Sequence, residues 1–223
     1  MRKQTLAPGE FYHIYSRGVD RRDIFMDEDD RDRFMSLLYL ANNNQSFKIR
    51  ELGRKGNTVF ALSKQGELCA IGAYVLMTNH FHLLIKETQE GGITKFLHSL
   101  LTSYSKYFNK KYERTGRLFE STFRAEWVNM DEYLKYLFSY IHLNPIKTLY
   151  PKWKEEGILD IQKAQTFLSG YRYSSYPDYV GEKREQSVIL HTSEFPEYFS
   201  QWNINEYKKE MGEWLEYSKG KIF

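Results

Sequence analysis

The sequence predicts an α+β chain, an antiparallel sheet backed by helices and followed by a helical extension. Three observations carry this. Stretches rich in aromatic and β-branched residues, some alternating apolar and polar at every second position, are interleaved with stretches whose apolar residues recur at helical spacing. Their order is strand, helix, two adjacent strands, helix, strand, helix. The composition, 41% hydrophobic and 17% aromatic over 223 residues, is that of a packed globular chain.

The first strand is "EFYHIYSRG" (10–18), alternating, rich in aromatics and ending at a glycine. "DEDDRDRFMSLLYLANNN" (27–44) reads as a helix, with acids in its first turn, an apolar face of Phe34, Leu37, Leu38 and Ala41, and asparagines at its end. Residues 46–67 carry glycines at 53, 56 and 66 and read as a hairpin or irregular insertion. "ELCAIGAYVLM" and "HFHLLIKE" are two strands joined by the short turn "TN". "GGITKFLHSLLTSYSKYFNKKY" (91–112) is a long helix, and "RTGRLFESTFRAEWVNM" holds a glycine turn and then a strand. "DEYLKYLFSYIHLN" (131–144) closes the series as a helix, with Asp131 as its expected N-cap and Pro145 as its stop. A ferredoxin-like sheet accommodates this order. Further on, "INEYKKEMGEWLEY" places Ile204, Tyr207, Met211, Trp214 and Leu215 on one helical face, which suits docking.

Composition excludes some classes of function. The longest apolar run, Leu68–Met77, is about half the roughly 18 residues a membrane span needs. The N-terminus lacks the apolar core of a signal peptide, so a cytoplasmic location is expected. A lone cysteine, Cys69, cannot build a disulfide framework and reads as a core thiol. The net charge of +3 is small, but its distribution is uneven. Between Lys95 and Arg124 seven Lys or Arg stand against two Glu, with Tyr104, Tyr107, Phe108, Tyr112 and Phe119 interleaved. That pattern suits phosphate contact and base stacking; it equally suits a solvated helix face.

The chemistry-bearing residues lie in two segments. In "TNHFHLLIKE", His80 and His82 are two apart on a strand and so share a face. They can converge on one divalent ion, or be structural histidines with satisfied partners. In "YLFSYIHLNP", Tyr140 and Asn144 lie about one turn apart on one helix face, with Asn144 able to offer its carbonyl oxygen to a cation. Asn before Pro is also a common way to end a helix. His142 falls about 200° round the helix from Tyr140, away from such a site.

Taken together, "NHFHLLI" and "YIHLNP" resemble the single-tyrosine HUH (His-hydrophobic-His) transposases, in particular the REP-associated tyrosine transposase branch. The blocks "FYHIYSRGVDRRDIF", "DRDRF", "AYVLMTNHFHLLIK", "GRLFESTFRAE" and "YLFSYIHLNPIK" follow that family's order, and "YRYSSYPDY" is similar to a segment that often follows them. The resemblance implies an HUH endonuclease-like domain over residues 1–150, with an insertion at 43–67 and a C-terminal extension at 151–223. It implies cleavage and rejoining of single-stranded DNA at hairpin-associated sites through a 5′-phosphotyrosine. Carried over residue by residue, it makes Tyr140 the nucleophile and His80, His82 and Asn144 the ligands of Mg²⁺ or Mn²⁺. Lys106, Lys110, Lys111, Arg114 and Arg117, from the basic segment, are the expected phosphate contacts. Relatives occur as dimers and as monomers, so a homodimer stays open. Two other functions compete: a domesticated hairpin-binding module without catalysis, and a metal-dependent hydrolase in which Tyr140 is a bystander.

Overall fold

The computed structural model describes residues 5–45, 59–200, 207, 209 and 211–213. Its strands are β1 (Phe11–Arg17), β2 (Cys69–Met77), β3 (His80–Glu87) and β4 (Arg124–Val128). Its three long leading helices are α1 (Glu28–Ala41), α2 (Gly92–Lys111) and α3 (Asp131–Leu143). All the pairings are antiparallel, in the order β2-β3-β1-β4. With β1–α1–β2–β3–α2–β4 along the chain, this is the ferredoxin-like arrangement expected, and α3 adds a layer to the second face.

Alternation along each strand sorts side chains between the two layers. Tyr12, Ile14, Phe81, Leu83 and Ile85 point into one core with Phe34 and Leu38 of α1 and Phe96, Leu100 and Tyr104 of α2. Val75, Met77, Leu84 and Val128 point the other way, against Leu134, Leu137, Phe138 and Ile141 of α3. Cys69 lies buried at the start of β2, as expected.

Helix α1 is capped by Asp27, whose carboxylate accepts from the Asp30 amide at 3.0 Å. Asp30 is itself buried and fully occupied, accepting from Met26 N, Tyr107, Lys111 and Tyr112. One local expectation for α3 is corrected. The N-cap position is Met130 in extended conformation, while Asp131 is the first helical residue and pairs with Lys135 at 2.9 Å. Helix α3 does stop before Pro145 as expected, at Leu143, although Asn144 and Pro145 both keep right-handed helical angles and a short separate helix α4 (Ile146–Leu149) follows at once. Asn144 holds this conformation against the steric bias that proline imposes on its predecessor.

The sheet's outer edge at β2 is covered by later residues, which removes a row of unpaired backbone groups from solvent. Leu76 N donates to Tyr173 O at 2.9 Å, Ser175 N to Tyr74 O at 3.0 Å, and His191 N to Ile71 O at 2.9 Å. Arg184 fastens this segment, donating to Asp178, to the Tyr74 hydroxyl and to Arg172 O. Helix α5 (Trp153–Glu156) and helix α6 (Ile161–Gly170) precede it. Tyr207 and Met211 are helical and buried; Ile204, Trp214 and Leu215, from the same expected face, lie outside the described residues, as does most of the insertion. The part of the insertion that is described holds a 3-10 turn, Val59–Ala61. Among the described residues, no helix is long and apolar enough to cross a membrane.

Candidate active site

On the α3 side of the sheet, apolar residues give way to imidazoles and phenols toward one end of the strands. Register dictates the neighbours: His82 is opposite Tyr15 of β1 and Val75 of β2, while His80 is opposite Arg17 and Met77. His13 lies diagonally from His82 and opposite Glu126 of β4. The two histidines of β3 do share a face, with ring centroids 5.0 Å apart.

Helix α3 lays Tyr140 over this patch. Its ring stands edge-on to His82 at 5.6 Å and to His13 at 6.3 Å. Tyr15, Arg17, Asn79, His80, His82, Glu120, Ser121, Arg124 and Tyr140 are among the residues lining a cleft of about 480 Å³. Tyr136 and Tyr133 continue from Tyr140 as a ladder of near-parallel rings about 6 Å apart. His142 turns to the opposite side, with Nε2 2.6 Å from Ser175 Oγ and Nδ1 2.5 Å from the Tyr207 hydroxyl, so it ties α3 to the C-terminal segment.

Hydrogen bonds orient both rings of the pair. Asn79 Nδ2 donates to Arg21 O at 3.1 Å, which turns its oxygen toward His80 Nδ1, 2.6 Å away. His80 Nδ1 must then carry the proton, and Nε2 holds the lone pair. His82 Nδ1 lies 2.8 Å from His13 Nε2. Burial pushes His13 and His80 down to about 4, against the opposing pull of Glu126 on His13 and helped at His80 by Lys147 and Arg17. Burial, His13, His80 and Lys147 hold His82 well below the usual histidine range. All three are therefore neutral near pH 7, the state in which an imidazole binds a metal.

Asn144 is buried against its own helix. Its Nδ2 donates to Tyr140 O at 3.1 Å, and its Oδ1 accepts from Lys147 Nζ at 3.2 Å. The same ammonium lies 5.6 Å from the centre of the Tyr140 ring, and burial lowers its pKa. Lys147 thus stands where its charge reaches Tyr140, Asn144 and both histidines. Among the described residues, no group of three or more His, Cys, Asp or Glu is placed to hold a metal ion. The donor set fit for a divalent cation is two neutral imidazoles, with the Asn144 amide oxygen engaged by a lysine.

The basic residues divide. Lys106 and Arg117 line a second cleft of about 670 Å³, which meets the first at Ser121. Lys110 is exposed on α2. Lys111 is ion-paired with Asp27 at 2.7 Å and Asp30 at 2.9 Å, and Arg114 donates to Asn109 Oδ1 at 2.9 Å with its guanidinium 5.7 Å from the centre of the Phe108 ring. Sequence reasoning missed His13, Tyr15, Arg17, Arg124 and Lys147. The signal for three of them was present, because "HIYSR" alternates His13, Tyr15 and Arg17 onto one face.

Residues 57–144 match the family model of the IS200-like transposases. That span runs through β2, β3, α2, β4 and α3, and so includes His80, His82, Tyr140 and Asn144. Over that span the chain is similar to the IS200-like transposases. In fold, it is similar to a REP-associated tyrosine transposase whose structure was solved bound to a REP hairpin. The identity is 12% and the TM-score 0.50, over 83% of this chain and 89% of that one. No curated protein sequence matches the chain. Strand β1 precedes the matched span yet contributes His13, Tyr15 and Arg17 to the same sheet face as His80 and His82.

Proposed function

We propose that the chain is a metal-dependent single-stranded DNA endonuclease and strand transferase, of the REP-associated branch, with Tyr140 as nucleophile. One observation carries this reading: Tyr140 of α3 stands edge-on to His82 in the cleft that also takes in His80. A nucleophile and a candidate cation site in one cleft suit in-line attack on a phosphodiester.

In this reading His80 and His82 would hold Mg²⁺ or Mn²⁺, and the Asn144 oxygen would join them as third donor on exchanging its contact with Lys147 for the cation. The cation, when bound, supplies Lewis-acid polarisation of the scissile phosphate. The Tyr140 oxygen attacks phosphorus and the P–O3′ bond breaks; the phenol gives its proton to solvent and the leaving 3′ oxygen takes one up, so the products are a 5′-phosphotyrosine and a 3′-hydroxyl. The phosphotyrosine conserves the phosphodiester linkage, so rejoining to another 3′-hydroxyl needs no further energy source. Arg17 and Arg124 in the same cleft suit the flanking phosphates, and Lys106 and Arg117 in the adjoining cleft suit the strand beyond. The similarity to a hairpin-bound transposase supports a hairpin with a single-stranded flank as the substrate class.

The test is to incubate wild type and Tyr140→Phe with Mn²⁺ and labelled single-stranded hairpin DNA, then resolve covalent adducts on a denaturing gel. Wild type is expected to form an adduct on Tyr140, and Tyr140→Phe to bind the DNA but give neither adduct nor cleavage. Cleavage by Tyr140→Phe would make the chain a hydrolase, and binding without cleavage by wild type would make it a hairpin-binding module.

A further inference from the structure

The His13 imidazole lies within the sheet face, 6% exposed, with Nε2 2.8 Å from His82 Nδ1 and its ring 5.0 Å from the His82 ring at an interplanar angle of 22°. On its far side, Nδ1 lies 3.7 Å from Glu126 Oε2. Glu126 is held in turn, since the Tyr15 hydroxyl donates to its Oε1 at 2.6 Å. Four side chains thus form one line across three strands: Tyr15, Glu126, His13, His82.

Two proton arrangements satisfy the His13–His82 hydrogen bond. If His13 donated, His82 would accept at Nδ1, carry its proton on Nε2, and have no lone pair for a metal. Glu126 decides between them. Although 3.7 Å exceeds a hydrogen bond, the carboxylate charge favours the proton on the near nitrogen of His13. With Nδ1 protonated, neutral His13 offers Nε2 as an acceptor. His82 must then donate from Nδ1, and its Nε2 is bare.

We propose that His13, set by Glu126, is a positioning residue for His82: it fixes the tautomer and ring plane that make His82 a metal ligand. The proposal rests on the metal-dependent reading above. It extends the site to β1 and β4, beyond the two segments that carry the ligands, and it assigns a reason for a second buried imidazole beside the first. Outer partners of this kind typically change metal affinity by about 10- to 100-fold.

The experiment is calorimetric titration of Mn²⁺ into wild type, His13→Phe, His13→Gln and Glu126→Gln, with thermal melts alongside. Expected is a loss of roughly 10-fold or more in affinity for His13→Phe. His13→Gln, whose amide oxygen can accept from His82 Nδ1, should stay within about threefold of wild type, and Glu126→Gln should fall between the two. At saturating Mn²⁺ the adduct yield of His13→Phe should recover. Unchanged affinity in folded His13→Phe overturns the proposal. So does His13→Gln losing as much as His13→Phe, because His13 would then be a ligand. If His13→Phe does not fold, Glu126→Gln decides alone, and wild-type affinity there is equally fatal. A wild type that takes up no Mn²⁺ sinks the metal reading itself, which is a separate result.

Discussion

The two faces of β3 differ by one residue in register and by everything in chemistry. Phe81, Leu83 and Ile85 are wholly buried against α1 and α2, in a layer where shape alone matters. His80 and His82 interrupt the opposite face, where α3 brings a tyrosine instead of another aliphatic side chain. The strand can carry a candidate site because its other face supplies the stability. Each polar ring also has a partner, Asn79 of the β2–β3 turn for His80 and His13 of β1 for His82, which offsets part of the cost of burying them.

This contrast is broken most directly by substitutions at adjacent positions. Phe81→Ala should cost about 3–5 kcal/mol in chemical denaturation, the range for a fully buried aromatic. His80→Ala and His82→Ala should leave the melting temperature within a few degrees while abolishing metal-dependent cleavage. Cleavage that survives in the double variant, or in excess chelator, would show that the histidines are structural, and the contrast between the faces would collapse.

A second measurement sharpens the division among the basic residues. Joint replacement of Lys106, Lys110 and Arg117 by Gln should flatten the salt dependence of single-stranded hairpin binding by roughly two units of log–log slope, at about 0.7 per phosphate contact. Lys111→Gln should leave that slope nearly unchanged and lower stability instead, because it strips the ion pair from buried Asp30. Equal slope changes from the two variants would return Lys111 to the DNA-facing set.

The smallest effect is graded and follows from acid. His13 and His80 are pushed down to about 4 and His142 to about 3, in each case chiefly by burial. In the unfolded chain these groups protonate near 6.5. Between about pH 6.5 and 4 the unfolded state therefore binds more protons, and stability rises with pH. It is fully present above 6.5 and is lost as pH falls toward the folded values. Melting temperature should drop steadily from pH 6.5 downward, and a flat profile to pH 4.5 would mean these rings are solvated. Because His13, His80 and the similarly lowered His82 sit on the α3 side of the sheet and His142 lies on α3 itself, acid should loosen that layer before the other.

How much of this was legible in the sequence depends on distance along the chain. Alternation on β3 was enough to put His80 and His82 on one face, and helical spacing was enough to align Tyr140 with Asn144. Element order was enough for a ferredoxin-like sheet. Each rests on neighbours a few residues apart, where backbone geometry alone fixes direction. The end of α3 was legible as well, since the helix stops at Leu143 with Asn144 as its C-cap; its start was misread, because Met130 and not Asp131 takes the N-cap position.

What only the tertiary structure decided is which of these faces meet. Placing β1 between β3 and β4 sets His13 beside His82 and Glu126 beside His13, across sequence separations of 69 and more residues. The fate of Lys111 was settled 84 residues away, at Asp27, and that of the Asn144 oxygen by a lysine one turn on. Strand order and long-range ion pairs depend on burying both faces of the sheet at once, and no local pattern in the chain encodes that condition.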